Sequence, residues 1–501
     1  MNIDRDMKRS DFLCSPMCKR TVNTDVSEDF TLPDYYPEIK KVLCVRENLA
    51  PPAKFVNGGK LDVNGVADYT VIYVSAEGSI CSAPVSAEYG FSIPLEDAAD
   101  YDMSEGVGIL AHSVAESSNV RVLGPRKIQV RSHLGTNVNV FGKKPCFDMQ
   151  SGVDGIENTS SIEQLVKETE CGDVFCESSD VVTLEDEYRL SGEDARIAFA
   201  EPSVFIESCR VEGEIAKISG DVILKMLVES SDKSETVVKK MHFDADSDLD
   251  GIVVGDGGSC FANGTVTDVS VTVEEGSAFI TVNLVLEVCV GQNVKVPYTC
   301  DMYSVEQNSE STGRTEVVSV MLANRNFNFS QSDRVELADT SIPSEAQIID
   351  VLGSLCAKEA ALENERYVLR GDCRYDVIYK NGEEYGAAQI AMPFKYEMDG
   401  TESVDAFDAT MNIISSRCRV DGEFLSIDAE ICGSCCLMGS RNITMLERVI
   451  FTEPKEKRRG VWTVCYTSPA EDLWSIAKRY GVASSAISGD PQKDNFVMIE
   501  R

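Results

Sequence analysis

The sequence predicts a mainly β protein: three tandem β-sandwich-like repeats followed by a small βααβ domain. Three observations carry this expectation. Apolar and polar residues alternate with period two over most of the chain, the chain resembles itself at intervals near 150 residues, and the pattern changes in kind after Glu453. At 501 residues the chain is too long for one hydrophobic core, so several domains are expected.

The alternation is clear in Leu61-Asp62-Val63 and in Val269-Ser270-Val271-Thr272-Val273, where β-branched residues are abundant. Such runs mark half-buried antiparallel strands, and turns such as Lys380-Asn381-Gly382-Glu383 divide them. Within the repeats, only the segment from Pro33 to Leu43 has apolar residues at helical spacing, at Ile39, Val42 and Leu43, and it predicts one short helix.

Three strand-like segments superimpose on Gly65, Gly220 and Gly371, which recur at spacings of 155 and 151 residues. A Phe follows each glycine: Phe91, Phe243 and Phe394. A second landmark ends in Gly124, Gly276 and Gly422, each leading into another alternating run. A third is shared by the first and last repeats only, Phe30-Thr31-Leu32-Pro33 matching Thr340-Ser341-Ile342-Pro343. The middle repeat has lost or altered it. Boundaries at 1–150, 165–305, 314–450 and 460–501 follow. Units of this size can each close a core, so the sequence reads as a chain of domains and not a solenoid.

With 83 acidic against 47 basic side chains, the net charge is −36. That surface repels phosphate backbones and excludes nucleic acid and anionic membrane as main partners. The polar N-terminus and the lack of an apolar run of spanning length predict a cytosolic chain without membrane insertion. In that setting the 18 cysteines read as structural thiols, with a metal site or oxidative cross-linking as the alternatives.

No catalytic pattern stands out. His112, His133 and His242 are isolated in sequence, and neither a nucleophile elbow nor a phosphate-binding loop occurs. Asp246, Asp248 and Asp250 with Gly251 begin like a calcium loop, but Gly257 stands where a bidentate Glu is needed. A solvated acidic loop is the better reading. The sequence therefore calls for no enzyme, cofactor or metal.

The C-terminal segment is different. Trp462-Thr463-Val464 reads as a strand, Asp472 to Val482 as a helix closed by a Gly C-cap, Ala483 to Ile487 as a second short helix, and Phe496 to Ile499 as a returning strand. Leu473, Ile476, Ala477 and Tyr480 define its buried face. Leu473-Trp474-Ser475-Ile476-Ala477-Lys478-Arg479-Tyr480-Gly481-Val482 resembles the first helix of the LysM family. That family binds N-acetylglucosamine polymers, through the loop after its first strand and the loop before its last. Both loops depart here, Thr467 to Asp472 being longer than the family's turn, so protein binding is expected ahead of glycan binding.

The three repeats resemble the SPOCS domain of spore-forming Firmicutes, through Leu32-Pro33-Asp34-Tyr35-Tyr36-Pro37-Glu38-Ile39, the Gly65 strand ending in Val71-Ile72-Tyr73, and the downstream Phe. The resemblance implies a non-enzymatic scaffold in spore coat assembly. It further implies location in the mother-cell cytoplasm at the forespore surface, and binding of the coat-basement ATPase SpoIVA through the LysM-like domain. A peptidoglycan-binding protein is the alternative. The candidate partner-binding residues are Trp462, Glu471, Asp472, Leu473, Trp474 and Tyr480.

Overall fold

The computed structural model describes residues 12–96, 98–103, 106–146, 153–154, 161–178, 181–190, 194–230, 234–249, 258–455, 462–468 and 471–500. The protein is mainly β, built of antiparallel sheets, and the strands run in one order three times. The first set is β1 (Phe12–Thr31), β2 (Ile39–Leu49), β3 (Ala53–Asn57), β4 (Lys60–Ser75), β5 (Ile80–Pro94), β6 (Gly108–Gly124) and β7 (Lys127–Pro145). Strand β7 pairs with β1 and β6; β4 pairs with β5 on one side, and with β2 and β3 in succession on the other. A two-residue strand, β8 (Val153–Asp154), follows.

The second set is β9 (Ile162–Ser178), β10 (Val182–Arg189), β11 (Arg196–Glu212), β12 (Ile215–Glu229), β13 (Ser234–Asp248), β14 (Ser259–Glu274) and β15 (Ser277–Ser304). Its sheets are β11-β12-β13, and β14-β15 with β9 and β10. The third set is β16 (Gln307–Glu336), β17 (Gln347–Glu363), β18 (Arg366–Asn381), β19 (Glu384–Asp399), β20 (Ala406–Asp421) and β21 (Phe424–Pro454). It forms β16-β21-β20 and β17-β18-β19, with β8 added in parallel to β21.

The recurrent glycines lie in the central strands β4, β12 and β18, each facing an aromatic ring across the ladder. Gly220 pairs with Phe243 and Gly371 with Phe394, but Gly65 pairs with Tyr89, and Phe91 lies opposite Val63. Tyr89, not Phe91, is therefore the counterpart of the other two aromatics. The ring lies over the glycine, where a Cβ would meet Tyr89 at 2.4 Å, Phe243 at 2.9 Å and Phe394 at 2.6 Å. An aromatic thus fills the space that a strand glycine leaves empty.

The predicted helix is absent. Ile39 to Leu49 is strand, and its apolar spacing comes from two β-bulges, between Ile39 and Lys41 and between Val42 and Cys44. Each bulge inserts a residue and breaks the period of two, which imitates helical spacing. The Leu32-Pro33 and Ile342-Pro343 segments instead form turns, closed by Tyr36 N–H to Pro33 O and Ala346 N–H to Pro343 O. Leu32, Leu190 and Leu337 occupy one equivalent place. Each donates its N–H into the following hairpin turn, at Arg126, Gly276 and Glu423 respectively. In the middle set no proline stands between Leu190 and β11.

The three sets close into a ring. Strand β2 touches β14, β11 touches β20 and β17 touches β6; likewise β5 touches β11, β13 touches β17 and β19 touches β2. These contacts from one set to the next repeat cyclically, as in a closed head-to-tail trimer. Ile72, Leu227 and Ile378, at equivalent places after Gly65, Gly220 and Gly371, are fully buried in one apolar cluster on the pseudo-threefold axis. Beside them lie buried ions from all three sets. The Arg46 guanidinium bonds Glu201 (2.9 Å), Asp376 (3.2 Å) and the Gly353 carbonyl (2.7 Å), and Lys225 pairs with Asp350 (2.5 Å). A cavity of about 1370 Å³ is lined by residues of every set.

Two further expectations change. Cys176 and Cys289, opposed across the β9–β15 ladder, form a disulfide, while the other sixteen cysteines are free. The acidic segment is strand as far as Asp248, with Asp244, Asp246 and Asp248 exposed on one face of β13; Asp250, Gly251 and Gly257 lie outside the described residues.

Candidate partner-binding surface

The C-terminal unit consists of β22 (Trp462–Tyr466), α1 (Leu473–Tyr480), β23 (Ile487–Ser488) and β24 (Phe496–Glu500), with sheet order β22-β24-β23. The predicted second helix is reduced to a single 3-10 turn, Ser484–Ala486, ahead of β23. With so few residues between Gly481 and Ile487, one short turn is all that the segment can form.

Asp472 caps α1 by accepting the Ser475 N–H at 2.8 Å, and Gly481 closes it in the left-handed conformation at φ 63°. Lys478 and Arg479 sit in the last turn, where the helix dipole favours cations. The core of the unit is Cys465, Ile476, Ala477, Ile487, Val497 and Ile499, together with Tyr303 from β15. Tyr303 is buried, and its hydroxyl donates to Val482 O at 2.8 Å. The unit thus completes its core with a residue of the repeat body.

The six sequence-predicted residues do not form one surface. Glu471 and Asp472 are used locally, Glu471 by ion pairing with Arg479 and by accepting the Ser468 N–H, Asp472 as the cap. Leu473 is exposed, not buried as its helical spacing suggests. Trp474 faces the body: its ring meets Tyr303 edge-on at 4.9 Å, and its indole N–H donates to Asp301 at 2.9 Å. Tyr480 packs partly buried against the unit's core. Trp462 alone is strongly exposed, at the start of the edge strand β22.

The surface around Trp462 is one that sequence reasoning missed. On β22 and β24, Val464 lies opposite Met498 and Tyr466 opposite Phe496, while Trp462 lies opposite Glu500. All five apolar side chains point away from the core, with exposures of 54% (Trp462), 51% (Val464), 80% (Tyr466), 47% (Phe496) and 39% (Met498). The signal was present: in Val464-Cys465-Tyr466 and Phe496-Val497-Met498-Ile499 both strand faces are apolar. A strand apolar on both faces is built to be covered on both. Here the inner face meets α1 and the outer face meets solvent. Such a patch marks an interaction site.

The two loops flanking this sheet are tied together. Thr467 donates its N–H to Asn495 O (3.1 Å) and its hydroxyl to Asp494 O (2.6 Å). Pro469 and Ala470 lie outside the described residues.

Elsewhere, two of the histidines have carboxylate neighbours that sequence spacing did not reveal. His133 meets Asp25 (2.6 Å) at an exposed strand surface, and His242 meets the buried Asp221 (3.1 Å). The Asp25 carboxylate holds the His133 imidazole above its usual range. Among the described residues, no group of three or more His, Cys, Asp or Glu is placed to hold a metal ion, and no helix is long and apolar enough to cross a membrane. In comparison with known proteins, the chain matches no protein-family model, no curated protein and no solved structure.

Proposed function

We propose that the chain is a non-enzymatic scaffold of the bacterial spore envelope, acting in the mother-cell cytoplasm at the forespore surface. In this reading three SPOCS-like repeats form the body, and a LysM-like C-terminal unit docks the coat-basement ATPase SpoIVA. The layout is similar to that of SipL, the clostridial SpoIVA-interacting protein. The observation that carries the reading is the outward apolar face of Trp462, Val464, Tyr466, Phe496 and Met498. A flat face of aromatic and aliphatic side chains suits the buried centre of a protein interface. Trp474 supports the docking indirectly, by fixing the unit to the body.

A second reading, peptidoglycan binding, draws on Trp462 and Tyr466, whose exposed rings could stack on sugar rings. Binding of the full chain to SpoIVA and to purified peptidoglycan separates the two. The full chain is required because Tyr303 belongs to the unit's core. Tyr466→Glu and Val464→Glu are expected to weaken SpoIVA binding at least tenfold while leaving the thermal transition in place. Saturable peptidoglycan binding without SpoIVA binding would overturn the proposal.

A further inference from the structure

The middle repeat holds one disulfide, Cys176–Cys289, which joins neighbouring strands of a single sheet. A second pair lies nearby. The Sγ atoms of Cys209 and Cys260 are 3.2 Å apart, and both are free thiols that are only partly buried. Cys209 is on β11 and Cys260 on β14, strands that belong to the two opposed sheets of that repeat.

A β-bulge creates this meeting. Along β11, Val204 and Ile206 point into the core; the register then shifts between Ile206 and Ser208, leaving Glu207 exposed. After the shift Cys209 and Val211 take the inward positions and pack against the core of the repeat. With strict period two, Cys209 would share the face of Glu207 and point to solvent.

The arrangement is confined to one repeat. Cys209 pairs with Ile218, two residues before Gly220, and the equivalent residues are Lys54 (opposite Val63) and Ala360 (opposite Leu369). The edge strands β6, β14 and β20 carry bulges at one shared place, opposite Leu134, Leu284 and Ile431. Counting back from those bulges, Cys260 corresponds to Ile109 and Phe407. Neither of the other repeats has a thiol at either position.

We propose that Cys209 and Cys260 are a redox-active pair that closes to an inter-sheet disulfide when the protein meets a low-molecular-weight disulfide such as oxidised glutathione. Cys209 donates its S–H towards Cys260, which favours the thiolate at Cys260 and disfavours it at Cys209. The Cys260 thiolate attacks one sulfur of the oxidant, whose S–S bond breaks and releases one thiolate. Cys209 then loses its proton and attacks the Cys260 sulfur of the mixed disulfide, forming the inter-sheet bond and releasing the second thiolate. The two protons of the original thiols end on the two released thiols. One disulfide is reduced for each one formed.

The consequence is mechanical. The Cys176–Cys289 bond ties β9 to β15 within one sheet, whereas Cys209–Cys260 ties that sheet to the opposite one. The middle sandwich could then no longer open along its β11–β14 seam.

The test uses the full chain, purified under conditions that leave Cys176–Cys289 intact, then treated with oxidised glutathione and mapped by mass spectrometry without reduction. A Cys209–Cys260 cross-linked peptide is expected, together with the loss of two titratable thiols. In Cys209→Ser the same treatment should trap glutathione on Cys260, because the resolving thiol is gone. In Cys260→Ser oxidation of Cys209 should slow markedly. Wild-type protein in which glutathione persists on either cysteine, or in which both stay reduced while thiols elsewhere oxidise, would overturn the proposal. Far-UV circular dichroism of each variant confirms that the fold survives.

Discussion

The indole N–H of Trp474 donates to Asp301 at 2.9 Å, and the Lys478 ammonium lies 2.7 Å from both oxygens of the same carboxylate. Trp474 and Lys478 are four residues apart on α1, so one helix face grips one side chain of β15. Burial alone would raise the Asp301 carboxyl, but the Lys478 and Trp474 hydrogen bonds outweigh it and hold the carboxyl below its usual range.

Asp301→Ala is expected to loosen the C-terminal unit from the body by about 1.5–3 kcal/mol, the scale of hydrogen bonds to a charged group. Hydrogen exchange over residues 473–480 should quicken, while exchange in β4 and β18 stays unchanged. Because the folded-state acidity of Asp301 is strengthened, its contribution is present above the ordinary Asp range near pH 4 and is lost as the pH falls. Acid should therefore loosen the unit in the wild type more than in Asp301→Asn. Equal exchange in wild type and variant would show that the contact adds nothing.

Asp408 has the opposite sign. It is buried, its Oδ1 has no hydrogen-bond partner among the described residues, and the equivalent residues of the other sets are Leu110 and Phe261. Burial raises its carboxyl above the usual range. Its stabilising form is the neutral acid, fully populated below about pH 4 and lost as the pH rises through the raised value. Asp408→Asn is expected to stabilise the fold at pH 7 by about 1–3 kcal/mol and to flatten the loss of stability as the pH rises above the ordinary Asp range. Thermal melts from about pH 4 upward give the answer, and an unchanged slope would contradict it.

Arg46 joins all three sets of strands, through Glu201, Asp376 and Gly353 O. Arg46→Ala leaves two carboxylates facing each other with less compensation, and removing one partner of a buried pair costs about 3–5 kcal/mol. Denaturant titration should show a lower midpoint. A simultaneous fall in the slope of the transition would mean that the repeats no longer unfold as one unit.

The three strand glycines should not be equally tolerant. A Cβ on Gly371 would lie 1.8 Å from Cys356 O and one on Gly220 would lie 2.4 Å from Phe205 O, both backbone atoms, whereas on Gly65 it meets the Tyr89 ring. Gly371→Ala is expected to cost about 1–3 kcal/mol through overpacking. Gly65→Ala should cost less, because a side chain can shift where backbone cannot. The order of melting temperatures tests this, and Gly65→Ala melting lowest would refute it.

Residue order was enough to reveal the β class, because period-two patterning is local and survives without any knowledge of neighbours. It also located the strand glycines and the hairpin turns near Gly276 and Gly422, whose positive φ values of 80° and 62° suit a residue without a Cβ. It failed where a bulge shifts the period. Ile39 to Leu43 imitated a helix for that reason, and Cys209 gave no sign of facing Cys260. It also failed for Trp474, since nothing local to α1 announces Asp301 or Tyr303 on a strand far away in sequence.

What the amino-acid order determined by itself is therefore the periodic part of the protein: strands, turns, the helix with its Gly481 cap, and the recurrence of one pattern. Tertiary structure alone decided how the three sets close on Ile72, Leu227 and Ile378, and which face of the C-terminal sheet is left open. The reason is physical. Alternation states that a strand has two faces, but only packing decides which surface covers each, and in β22 and β24 both faces are apolar while one remains uncovered.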